Sequence, residues 1–214
     1  MKKYRIIKKY RIYLYCGSAM LISEIWKQWC LTWMIGDGRY NWWHFPFQLC
    51  SIPMYVCLLI PFVKSEKVRG NLFHFLMDFG LLAGIFTFFD TTGLHYPYFP
   101  LTIHSYVWHI VLIILGLYTG FRGKEEKTNS PFTGSAFIYL SCCLFATIFN
   151  LFFYKNGPIN MFYISPHYLM TQKVFCYITE YFGNTAGILS YIASTVLGAW
   201  IIHCLWRHYD AIRQ

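Results

Sequence analysis

Six long apolar stretches divide this sequence, and they restrict it to a helical fold within a membrane. A spanning α-helix needs about 20 mostly apolar residues, because its backbone polar groups must be satisfied inside the helix. Charged residues make up only 13% of the chain, about half the average of soluble domains. We therefore expect an all-α, polytopic membrane helix bundle that forms one domain over residues 1–214. Its six predicted spans are 11–34, 45–63, 71–89, 101–121, 131–153 and 184–206.

The distribution of Lys and Arg predicts that both termini are cytoplasmic. With an inner N-terminus, the inner segments hold most of these cations: six in 1–11, three in 64–69, three in 122–127 and two in 207–213. The outer loops hold three. Because basic residues concentrate on the cytoplasmic side, this bias favours a multi-pass protein of the cell membrane in that orientation. The net charge of +9 is then a topology signal, and we expect no nucleic-acid partner.

The longest outer connection, residues 154–183, is predicted to contain an amphipathic helix. Ser165 followed by Pro166 is typical of a helix N-cap and first turn. Beyond them, apolar residues recur at helical spacing from Tyr168 to Phe182. We expect this helix to lie in the outer membrane interface. Two roles stay open for it, a packed connector or a lid over a site.

Three spans carry a polar side chain at a similar depth. Counting ~1.5 Å per residue from the predicted outer ends places Cys50 about 8 Å, His109 about 12 Å and Glu24 about 15 Å into the membrane. Ionisable groups at such depths are costly unless they are paired or used. We therefore expect Glu24, Cys50 and His109 to face one cavity in the outer half of the bundle, with Gln48 near its mouth.

Each of these side chains also has a structural interpretation. Cys50 can pack as a small hydrophobe, the common state of a buried thiol. His109 can hydrogen-bond within the bundle, and Ser105 lies one turn before it. Glu24 can pair with Lys27, three residues on along the same helix face.

A second histidine, His104, competes with His109 for the functional position. Five residues separate the two, so they lie about 140° apart around the helix, and we expect only one of them to face the centre. On the third span, His74 and Asp78 are four residues apart and form either a pair that satisfies itself or half of a proton path. The eight cysteines show no zinc-binding spacing, and we expect no metal and no cofactor.

Three short stretches carry a family resemblance: ISEI at 22–25, FPFQLCSI at 45–52 beside a P-L-x-L-C-x-I pattern, and His109 in the fourth span. Through them the chain resembles the bacterial YwaF-type integral membrane proteins. That family looks related to the eukaryotic transmembrane protein 164 group, whose members are phospholipid acyltransferases. The resemblance extends, as a six-helix layout, over nearly the whole chain.

The resemblance implies that Cys50 is the nucleophile that accepts an acyl group and that His109 is its base. A Cys nucleophile needs a base, and the base needs an orienting partner. Glu24 would orient His109, and Gln48 would donate a hydrogen bond to the oxyanion. Two positions depart from the family pattern, since Gln48 stands where His is common and Ile110 follows His109 where Gly is usual.

The leading hypothesis is a Cys/His-dependent lipid acyltransferase or lipid ester hydrolase, with membrane lipids as partners and a phospholipid as substrate. One alternative is a small proton-coupled transporter, in which Glu24, Asp78, His74 and His109 form a relay. Against it, the sequence shows no internal repeat and no clear pair of broken helices. The other alternative is a non-catalytic accessory protein whose polar residues hold helices together. The lipid and the oligomeric state stay open.

Overall fold

A computed structural model describes residues 9–122 and 132–212, and these residues form helices and turns without any strand. The predicted all-α class is confirmed. The α-helices of the described residues are α1 Arg11–Trp29, α2 Ile52–Leu59, α3 Glu66–Phe75, α4 Leu81–Phe86, α5 Phe99–Arg122, α6 Phe132–Phe153, α7 Phe175–Phe182 and α8 Asn184–Ile212.

Long apolar helices confirm that this is a multi-pass membrane protein. Four of them are long and apolar enough to cross a bilayer: Glu66–Phe89, Phe99–Arg122, Phe132–Asn156 and Asn184–Ile212. The first of the four joins α3 to α4 through a π-helical turn, Leu76–Gly80. These four helices overlap the third to sixth predicted spans, and two are longer than predicted, since the first begins at Glu66 and the last ends at Ile212.

The first two predicted spans differ from the expected uninterrupted helices. α1 continues through a π-helical turn to Ile35, but it carries Glu24 and Lys27 and does not count among the four. The second segment is helical only over Ile52–Phe62, about 16 Å of rise against a hydrocarbon core of about 30 Å. The count of six spans therefore stays a prediction.

Residues 45–51, expected to be helical, form turns instead. Pro46 lacks a backbone N–H and biases the residue before it away from the helical region. The freed backbone groups find other partners, since the Tyr55 hydroxyl donates to the Pro46 carbonyl at 3.0 Å and the Ser51 N–H donates to the Gln48 carbonyl at 2.8 Å. A turn at this depth is tolerable where it is buried in protein or lines a cavity.

The span Glu66–Phe89 is the centre of the bundle. Of an apolar stretch of 18 residues in this span, 72% are buried, against 17% of the corresponding stretch in α8. Phe79 stacks on Tyr139 of α6 with ring centroids 4.8 Å apart, and both rings are fully buried. The helices packed around this span therefore owe their relative positions to it.

The 154–183 connection contains a shorter helix than expected, because α7 begins at Phe175 and not near Ser165. Asparagine side chains replace helical hydrogen bonds in the stretch before it: the N–H of Met161 donates to Asn150 Oδ1 at 2.7 Å, and that of Met170 donates to Asn184 Oδ1 at 2.9 Å. Met161 and Met170 are both buried. These bonds pack the stretch before α7 against the bundle, and the choice between a connector and a lid stays open.

Candidate functional site

A cavity of about 1070 Å³ opens at the end of the bundle where α1 and α4 end and α5 and α8 begin. Its volume exceeds that of most small-molecule pockets, about 300–1,000 Å³. Gln48, Cys50 and His109 line it, whereas Glu24 does not. Part of the 154–183 connection, including Lys173, closes another side.

Cys50 lies in the turn immediately before α2, not inside a helix as the depth argument assumed. It is partly buried and forms part of the cavity wall. Its backbone is fixed to α5, because the indole N–H of Trp108 donates to the Cys50 carbonyl at 3.0 Å. Since Trp108 directly precedes His109, one contact ties the cysteine turn to the helix that carries the histidine.

His109 is buried, and one of its ring nitrogens is held by its own helix. Its Nδ1 lies 2.7 Å from the backbone carbonyl of Ser105. A carbonyl accepts only, so Nδ1 carries the hydrogen and Nε2 of the neutral ring is the acceptor. The partner suggested by the sequence, Ser105, is therefore correct, but it acts through its carbonyl and not its hydroxyl.

Gln48 joins the cysteine turn to the 154–183 connection. Its side-chain amide donates to the carbonyl of Asn160 at 3.0 Å. Its Oε1 is buried and has no hydrogen-bond partner among the described residues. Because a primary amide carries two N–H groups, one donor is left for another partner.

Glu24 is buried behind the cavity wall and belongs to a separate network. Its Oε1 accepts from Lys27 at 2.8 Å and from Gln28 at 2.6 Å. Gln28 also donates to the carbonyl of His44 at 2.7 Å. The carboxylate thus holds α1 against the turn that precedes residue 45 and places Lys27 in the cavity wall, while the orienting bond to His109 comes from Ser105.

Both candidate histidines of α5 line the cavity, so the expectation that only one faces inward is wrong. The reason is that α5 presents a wide arc, about 140°, that also includes Ser105 and Trp108. His104 differs from His109 in its partners, because its Nε2 lies 2.5 Å from the Ser23 hydroxyl. His104 is therefore held between helices through Nε2, the nitrogen that is the acceptor in His109.

Two more polar side chains of the cavity wall, Asp90 and His44, were not assigned to the site from sequence, because each is isolated in the chain. Asp90 follows the span Glu66–Phe89 and lies 3.2 Å from Lys173 Nζ, so an ion pair links two connections at the mouth. The Thr92 hydroxyl, 2.7 Å away, and then Lys173 lower the pKa of the Asp90 carboxyl.

His44, the second of these side chains, is held in its neutral form. Burial, followed by the charge of Lys27, lowers the pKa of His44 to about 4, so this imidazole is neutral at neutral pH.

The fold and the site define the class: an all-α, multi-pass membrane protein with a largely apolar cavity at one end of its bundle that several polar side chains also line. The sequence model of the TMEM164 family matches residues 2–206, and the chain belongs to the TMEM164 family. The resemblance to that group is thereby confirmed, and the narrower assignment to the bacterial YwaF type stays a prediction. Comparison with curated proteins and with solved structures gave no match.

Proposed function

We propose that this protein transfers or hydrolyses the acyl group of a membrane lipid ester through a cysteine thioester. One observation carries the proposal: a cysteine, a histidine with an acceptor nitrogen and an amide donor line the same cavity of a membrane protein. A thiol nucleophile needs a base in reach, and the base needs an orienting partner. Cys50, His109 and the Ser105 carbonyl fill these three roles.

The reaction proceeds in two acyl transfers with His109 moving the proton. His109 Nε2 takes the proton of the Cys50 thiol, and the thiolate attacks the ester carbonyl. Gln48 donates its N–H to the oxyanion that develops there. Collapse breaks the ester C–O bond, the leaving alkoxide takes the proton from the imidazolium, and the acyl group stays on sulfur. A second lipid hydroxyl or a water, deprotonated by His109, then releases the acyl group and restores the thiol.

A phospholipid fits the chemistry of the cavity. The volume of about 1070 Å³ accommodates a headgroup and part of an acyl chain. Lys27 and Lys173 both line it, each beside a carboxylate, and an ammonium group has three N–H donors, so each keeps donors for the charge-assisted hydrogen bonds of a phosphate. Exposed aromatic residues on α7, Tyr177 and Tyr181, suit a helix at the membrane interface, where the lipid would enter.

We place the cavity at the outer face of the cell membrane, with both termini cytoplasmic. The Lys and Arg bias supports this orientation. Reporter fusions after residues 67 and 125 should be cytoplasmic, and those after residues 38, 95 and 160 external. An external C-terminus would overturn the orientation while leaving the chemistry untouched.

Substitution of the two reacting groups tests the chemistry. Cys50→Ala and His109→Gln should each abolish lipid turnover by the purified protein in lipid vesicles. The double variant should be no worse than either single variant, because the two groups act as one unit. Cys204→Ala removes an exposed thiol from α8 and is the matched control. Turnover that persists in Cys50→Ala would remove the enzyme proposal.

A carrier is the second candidate, and the non-helical stretch at residues 45–51 favours it. Partly unwound spans beside a binding cavity are typical of transporters. Thiol labelling separates the two proposals. A catalytic Cys50 should react with a lipophilic electrophile ahead of Cys176 and Cys204, and His109→Gln should slow it. In a carrier, His109→Gln should leave the labelling rate of Cys50 unchanged.

A further inference from the structure

A second polar cluster lies inside the bundle, apart from the cavity. It consists of His74 on α3, Asp78 in the π-helical turn and His203 on α8. All three are buried, with Asp78 0% exposed. Asp78 Oδ2 lies 3.0 Å from His203 Nδ1 and 3.9 Å from His74 Nδ1, and one donor atom from each residue lies within 4.8 Å of the other two.

The fold places these three side chains together by two independent devices. His74 and Asp78 are four residues apart, so they share a helix face, and the wider π turn sits at Asp78. Such π turns are rare in proteins as a whole, and many of those that occur lie at functional sites. The register of α8 against this turn is fixed beside the cluster, where the indole N–H of Trp206 donates to the Met77 carbonyl at 3.1 Å.

We propose that His74, Asp78 and His203 bind one divalent transition-metal ion of the Zn²⁺ type. Two imidazole nitrogens and one carboxylate oxygen are a common donor set for such ions. Ligand bonds of about 2.0–2.1 Å in a tetrahedral site put neighbouring donors about 3.3 Å apart. The separations of Asp78 from the two histidines, 3.0 and 3.9 Å, lie on either side of that value, and all three donors lie within 4.8 Å of one another, so shifts of up to about 1.5 Å close the site.

The donor chemistry of the cluster suits a cation. Neutral imidazole is the form that coordinates metal, and a carboxylate supplies the negative charge that a divalent ion needs. Three protein donors leave a fourth coordination position for a further ligand.

The proposed ion would lie deeper in the bundle than the cavity, between the same helices. Leu82 and Gly198 line the cavity, and they stand four and five residues from Asp78 and His203. The cluster thus lies about 6–8 Å along the helices from that wall. An ion at this depth ties α3 and the π turn to α8, and it acts on the cavity through helix position and not through contact with substrate.

Metal binding by the tag-free full-length protein tests the proposal. The detergent-solubilised chain is stripped with chelator and titrated with Co²⁺, which reports coordination by its visible absorption, and with Zn²⁺, which is counted by elemental mass spectrometry. We expect one ion per chain. Asp78→Asn and His203→Ala should each weaken binding by at least about tenfold, the loss seen even for outer-shell partners.

His208→Ala is the matched control, because His208 is an exposed histidine on the same helix and should bind metal like the wild type. Equal losses in His208→Ala and His203→Ala would overturn the site. A wild-type chain that is folded and monodisperse yet binds no Co²⁺ and no Zn²⁺ would overturn it as well, whether or not the variants fold. The cluster would then be a hydrogen-bonded Asp–His pair.

Discussion

Gly84 on α4 sets the distance to α5, and replacing it with alanine should disturb both stability and the site. A Cβ at residue 84 would lie 2.9 Å from Ile113 Cγ1, 3.0 Å from the Ile113 nitrogen and 3.1 Å from the His109 carbonyl oxygen. Two of these three atoms belong to the α5 backbone, so they cannot rotate away. The helix that carries His109 must move instead.

The expected loss of stability for Gly84→Ala follows from two opposing terms. Overpacking against backbone costs about 1–3 kcal/mol, and alanine recovers about 1 kcal/mol of helix propensity. We expect a net loss of about 1 kcal/mol, which lowers the melting temperature in detergent by about 2–4 °C for a chain of this length. Lipid turnover should fall more steeply, because a displacement of about 1 Å at a catalytic group costs about a hundredfold in rate.

Gly93→Ala is the control for stability, since no heavy atom lies within 4 Å of a Cβ at residue 93. Its melting temperature should match the wild type. If Gly84→Ala melts at or above the wild-type temperature and keeps full turnover, the close approach of α4 and α5 does not position His109, and the argument from packing fails.

Three further predictions concern the groups around the site. Trp108→Phe removes the hydrogen bond to the Cys50 carbonyl, so it should cost about 1 kcal/mol and slow Cys50 labelling. Glu24→Gln removes the carboxylate that pairs with the half-buried Lys27 and should cost about 1–3 kcal/mol, which the double variant with Lys27→Met largely recovers. Because the pKa of Asp90 is lowered, its contribution to stability should be fully present above about pH 5, begin to fall near about pH 4 and be lost only as the pH drops through the lowered pKa.

Thermal melts check all three, each with its own contradicting result. Trp108→Phe with wild-type melting and labelling would remove the link between α5 and the cysteine turn. A double variant no more stable than Glu24→Gln alone would show that the pair is not the cause of the loss. A melting difference between the wild type and Asp90→Asn that is as large at about pH 2 as at neutral pH would exclude the carboxylate charge as its source.

Much of the fold follows from the sequence, because apolar length and charge breaks specify membrane helices. The same pattern hides the unwinding at residues 45–51, where an apolar composition coexists with Pro46 and with hydrogen bonds from side chains of α2 and α5. Tyr55 and Trp108 donate these bonds, and the sequence of residues 45–51 does not indicate them.

The candidate site was partly predictable for a similar reason. Depth counting brought Cys50 and His109 to one band, and both line the cavity. Depth does not specify hydrogen-bond partners. The resemblance therefore implies that Glu24 orients His109, whereas in the structure its carboxylate pairs with Lys27. His203 was missed beside Asp78, because 125 residues separate them and only the packing of α8 on the π turn brings them together.

The central claim is that an acyl group passes through the Cys50 sulfur, and trapping that intermediate tests it most directly. Purified protein is incubated briefly with a phospholipid, quenched in acid and digested, and its cysteine peptides are weighed by mass spectrometry. We predict a hydroxylamine-sensitive acyl adduct on Cys50 that is absent in Cys50→Ala and strongly reduced in His109→Gln. Turnover without an adduct on Cys50, or adducts spread evenly over the eight cysteines, would contradict the account.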